Sequence, residues 1–106
     1  MGYKSNKLMR MNLLPKGEYL HIDIGKRLER FRLVLGLNQR EFAERHGFNP
    51  TQYRNWESGS RRISIDCAAL LEERYGLTLD FIYLGRISTL PHSLAIELSE
   101  RPLDIK

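Results

Sequence analysis

The chain has 106 residues, 42% of them apolar and 28% charged, with a net charge of +4 and a single cysteine. That length holds one domain with one modest core, and the balance is that of a globular chain rather than a disordered one. No apolar run approaches the roughly 18 residues of a membrane span, none has the form of a signal peptide, and no Cys/His cluster has zinc spacing, so a cytoplasmic chain without disulfide or metal is expected.

Residues 1–20 mix Lys, Asn, Gly and Pro with short apolar groups and have no sustained period, which reads as an N-terminal arm. From Ile24 the pattern becomes regular. Ile24, Leu28, Phe31 and Leu35 recur at spacings of four, three and four, the apolar stripe of a first helix, and Gly36 ends it. A second helix opens at Asn38, whose side chain suits an N-cap; it buries Phe42 and Ala43 and stops at Gly47. Asn49-Pro50 opens a third helix with a capping residue followed by a proline at the first helical position, and Gly59 closes it after Ser58. Tyr53 and Trp56 are its inward positions. A fourth helix begins near Ser64, is expected to bury Ile65, Ala68, Leu71 and Tyr75, and ends at Gly76; Thr78 caps a short fifth helix that reaches Gly85. The tail has the pattern of an extra C-terminal helix, with Pro91 near its start, Leu94 and Leu98 on one face and Pro102 after its end. Five short helices between glycines leave no room for a sheet, so the fold class is all-α.

Charge is uneven along this plan. Residues 24–62 carry nine basic and four acidic side chains, whereas residues 63–106 carry four and seven. A cationic middle and an acidic last third fit a face turned to a polyanion, or simply a solvated surface. Arg27 and Arg30 admit both readings. Cys67 reads as a small core residue.

The second and third helices, joined through Gly47, have the pattern of a helix-turn-helix, in which the second helix protrudes. Counted from Gln39, small Ala43 is fifth, Gly47 ninth, Tyr53 fifteenth and Trp56 eighteenth, the places where close approach, a turn and two anchors are required. The blocks "GLNQREFAERHGFN", "WESGSRR" and "YGLTLDFIYLG" resemble the phage repressor and Cro-type helix-turn-helix domains, the XRE family, over residues 24–85. The resemblance implies a compact five-helix repressor-like domain over residues 21–86, between the arm at 1–20 and a tail at 87–106. It implies that Asn49 to Glu57 enter the major groove, with Thr51, Gln52 and Asn55 at base edges. It also implies phosphate contacts from Asn38 and Gln39 at the start of the second helix, and from Ser58, Ser60, Arg61 and Arg62 in the following loop. Arg32 and Glu57 match positions that pair in similar domains.

Two positions depart from the family pattern. Pro50 stands where a base-reading polar side chain is common, and His46 where an apolar residue is usual; His46 is expected to lie half-buried with its polar edge in water.

The function these features imply is sequence-specific binding of double-stranded DNA by a transcriptional regulator, a repressor by site occlusion, acting as a homodimer. The tail helix is the candidate dimer seam or else a cover for its own core, and Lys4, Lys7 and Arg10 could reach a neighbouring minor groove. The alternative is a protein-interaction module, such as an antitoxin, on the same fold. No cofactor, metal or small-molecule effector is expected. Nor is enzyme activity, since His21, His46 and His92 are scattered over different segments and no catalytic constellation is evident.

Overall fold

The computed structural model describes residues 20–99. The expected arm therefore lies outside the described residues except for Leu20, as do Lys4, Lys7, Arg10 and Pro102. Six α-helices and one 3₁₀ turn follow in order: α1 His21–Leu35, α2 Gln39–His46, α3 Pro50–Ser58, α4 Ile65–Tyr75, α5 Leu79–Leu84, the 3₁₀ turn Ile87–Thr89 and α6 His92–Ser99. No strand occurs among the described residues.

Local chemistry sets most of the boundaries. At α2 the cap is reciprocal: the Glu41 amide donates to Asn38 Oδ1 at 2.8 Å and the Asn38 amide to Glu41 Oε1 at 2.9 Å. Asn49, Ser64 and Thr78 accept from the backbone amides of Gln52, Cys67 and Phe81 in the same way. The start of α1 has no such signal. Leu20 offers only its backbone carbonyl, to Asp23 and Ile24, and the helix begins at His21, three residues before the apolar stripe opens at Ile24.

One core joins the elements. Leu28 and Phe31 of α1, Phe42 of α2, Tyr53 of α3 and Leu71 of α4 are among its fully buried members. Gly25 makes the contact of α1 with α3 possible, since a Cβ there would lie 2.4 Å from the Glu57 carbonyl oxygen and 2.5 Å from that of Trp56. Ile65 corrects an expectation. It is 58% exposed, because as the first residue of α4 it lies about 90° around the helix from the centre of the Ala68 and Leu71 face. Ile63, in the loop before the helix, fills the core instead. The tail also turns inward: Leu90 and Leu98 are buried in the same core, and Ile96 is the one large hydrophobic of α6 that is exposed. The expected dimer seam thus has most of its apolar face committed within its own chain.

Candidate nucleic-acid interface

The turn between α2 and α3 is set by Gly47, at φ +76°, a left-handed conformation that a side chain disfavours. The Phe48 amide donates to the Ala43 carbonyl at 2.8 Å, so the chain reverses tightly over a residue with no exposed surface. Tyr53 and Trp56 then pin α3 to the core. Thr51, Gln52 and Arg54 remain exposed and Asn55 partly so.

Glu57, the sole acid of α3, faces the opposite way. Its carboxylate accepts from Arg32 Nε at 2.6 Å, from Arg32 Nη2 at 3.1 Å, from Gln39 Nε2 at 2.9 Å, and from the Tyr53 hydroxyl. Arg32 Nη1 donates to the Leu37 carbonyl at 2.9 Å. The Arg32 and Glu57 side chains are only 10% and 5% exposed. Burial on its own would lower the Arg32 pKa, but the hydrogen bond and charge of Glu57 outweigh it and the net shift is upward. Burial pushes the Tyr53 phenol well above its ordinary value, and the Glu57 charge adds to the shift, so the hydroxyl stays protonated and donates. Three helices meet at this carboxylate: α1 through Arg32, α2 through Gln39 and α3 itself. The hub fixes the tilt of α3 and leaves no acid on its exposed face.

Beyond α3 the loop winds around one backbone oxygen. The Asn55 carbonyl accepts from the Ser60 and Arg61 amides and from Ser58 Oγ, and the Ser58 and Ser60 hydroxyls lie 2.9 Å apart. This places Arg61 and Arg62 beside the exposed face of α3. Gln52, Asn55, Arg61 and Arg62 line one cleft, floored by Trp56 and edged by Ser64 and Cys67. Thr51 is outside that cleft, within 3.4 Å of an Arg54 guanidinium nitrogen. Asn38 and Gln39 sit at the start of α2, where Asn38 Oδ1 caps the helix and one Gln39 amide hydrogen goes to Glu57.

Two residues escape the sequence reading of this surface. Arg54, three residues after Thr51, adds a cation to the exposed face of α3, and that spacing was its signal. Cys67 borders the cleft at intermediate exposure rather than lying in the core. His46 is a correction as well. It is 6% exposed, with Nδ1 2.7 Å from the Phe42 carbonyl oxygen and Nε2 2.6 Å from the Tyr75 hydroxyl. A carbonyl only accepts, so Nδ1 carries the proton and Nε2 accepts from Tyr75. Packing between the Phe42 and Phe48 rings, at centroid distances of 4.3 and 5.6 Å, removes its edge from water. Burial lowers its pKa, with Arg74 and Arg45 adding to the effect and the Phe42 carbonyl opposing it.

Among the described residues no helix is long and apolar enough to cross a membrane, and no group of three His, Cys, Asp or Glu side chains is placed to hold a metal. No curated protein and no solved structure matches the chain. The helix-turn-helix family model matches residues 28–82, which contain the Gly47 turn, α3 and the Glu57 hub, and span just over half of the 106 residues. The chain belongs to the helix-turn-helix family of XRE type, whose members are DNA-binding regulators.

Proposed function

We propose that this chain is a sequence-specific double-stranded DNA-binding protein that represses transcription by occluding its site. Thr51, Gln52 and Asn55 meet base edges in the major groove. Gln and Asn amides suit adenine N6 and N7, and the Thr methyl suits thymine. Asn38, Gln39, Ser58, Ser60, Arg61 and Arg62 hold phosphates on either side. The Gln39 amide has two hydrogens, and with one on Glu57 the other is directed by the same hub that orients α3. Residues 21–86 form the reading unit, and two copies bind half-sites about 34 Å apart, one helical turn of the duplex. The protein acts in the cytoplasm without cofactor, effector or catalysis of its own.

One observation carries this reading: Gln52, Asn55, Arg61 and Arg62 share a single cleft, while the only acid of α3 is turned inward against Arg32. Uncharged readers beside phosphate-seeking cations are the combination that specific recognition needs. Selection from a random duplex pool at stated salt, followed by sequencing, should return a palindromic site. If random duplex DNA shows no salt-dependent shift at all, the protein-interaction reading replaces this one.

A further inference from the structure

A second cationic surface lies on the far side of α1. Gly25 faces α3, whereas Arg27, two residues on and therefore nearly opposite around a helix of about 3.6 residues per turn, faces α5. There Arg27 Nη1 donates to the Ile82 carbonyl at 3.0 Å, and the Arg27 guanidinium passes so close to Gly85 that a Cβ on that glycine would come within 2.9 Å of it. A groove runs beside this contact. Lys26, Arg27 and Arg30 line it against one acid, Asp23, and Phe81, Gly85 and Ile87 line it from α5 and the 3₁₀ turn. Ile87 is 39% exposed, so apolar surface lies open beside the cations. Arg30 Nε is shielded from water and has no acceptor among the described residues. That atom is out of reach of an incoming group, so what Arg30 brings to the groove is the charge of its guanidinium.

We propose that this groove is a docking site for an acidic peptide segment of a partner protein, with carboxylates over Arg30 and Lys26 and an apolar side chain against Ile87. The excess of cations selects against basic and neutral segments, and the apolar wall favours a peptide over a bare phosphate backbone. A duplex lying along α3 is on the other side of α1. Docking and DNA binding are therefore compatible, and the groove would bring a partner to a DNA-bound regulator.

The test uses the full chain and a fluorescein-labelled peptide of alternating Asp and Glu with two interspersed Leu, followed by anisotropy. Binding should weaken with added salt and should survive saturation of the protein with duplex. The double variant Lys26→Glu/Arg30→Glu should bind the peptide about tenfold more weakly or worse, with an unchanged thermal midpoint and duplex affinity. If that variant does not fold, Lys26→Gln/Arg30→Gln removes charge without reversing it and should give the same direction. Peptide binding that duplex DNA displaces, or that neither variant changes, overturns the proposal. So does a fall in the salt slope of duplex binding in the Gln variant, which would assign the groove to phosphates, or a loss of self-association, which would assign it to a second copy.

Discussion

The inward and outward sides of α3 treat their polar groups in opposite ways. On the inward side the Glu57 carboxylate meets four donors and is nearly out of water. On the outward side the Gln52 and Asn55 amides have no partner among the described residues and face a shared cleft. Satisfied groups hold a helix at one angle, whereas groups bonded only to water can exchange that water for a base edge at little cost. One nine-residue helix thus combines a lock with the surface proposed to read DNA, and the two can be separated by substitution.

The largest effect is expected on the inward side. Glu57→Ala strands the Arg32 guanidinium and the Tyr53 hydroxyl, and should cost about 3–5 kcal/mol in urea unfolding. At temperatures where the variant remains folded, affinity should fall alike on preferred and random DNA. A loss under about 1 kcal/mol would mean that the pair behaves as an exposed one and that the lock lies elsewhere.

On the outward side, Gln52→Ala or Asn55→Ala should leave stability within about 0.5 kcal/mol of the parent. Each should cost about 1–3 kcal/mol on the preferred site, little on random duplex, and broaden the choice at one or two base pairs per half-site. Equal losses on both DNAs would move these residues to phosphates and erase the contrast between the two sides.

His46 extends the contrast to α2, where a polar side chain is buried and satisfied. Its pKa is lowered in the folded chain, so the unfolded chain binds more protons in the window below about pH 6.5, its ordinary value. Its contribution is therefore full above that pH and is lost as pH falls towards the lower folded value, by up to about 1.4 kcal/mol per unit. Unfolding measured from pH 7 to 5 should show this decline, and His46→Gln should flatten it. An identical pH profile in the variant would place the titrating group elsewhere.

The smallest effect belongs to the loop. Arg62→Ala should weaken binding to all sequences equally and lower the slope of log affinity against log salt by about 1. An unchanged slope would return Arg62 to the solvated surface, and the cleft would then rely on Arg61 for its cation.

Helix boundaries were readable wherever a side chain reaches an amide three residues on, as at Asn38, Asn49, Ser64 and Thr78, because such a cap is complete within one turn of chain. The start of α1 carries no such signal, since Leu20 makes no side-chain cap. The Gly47 turn and the Tyr53 and Trp56 anchors were legible as well, since their spacing is a demand of backbone geometry. The packing of Gly25 against the α3 backbone was not.

What the chain by itself determined is therefore local: the helices with a capping residue, the turn, and the side of α3 that faces out. Tertiary structure alone decided the fate of polar groups whose partners lie far away in sequence. Arg30 and Arg32 stand two residues apart on one helix; the family resemblance implied the pairing of Arg32 with Glu57, 25 positions later, but nothing along the chain placed the Nε of Arg30, which is buried with no acceptor among the described residues. Ile63 took the core position expected of Ile65, and His46 lost its water to Phe48 and Tyr75. The physical reason is range. A cap or a turn depends on atoms a few bonds away along the chain, whereas burial and ionic pairing depend on which surface arrives from another helix.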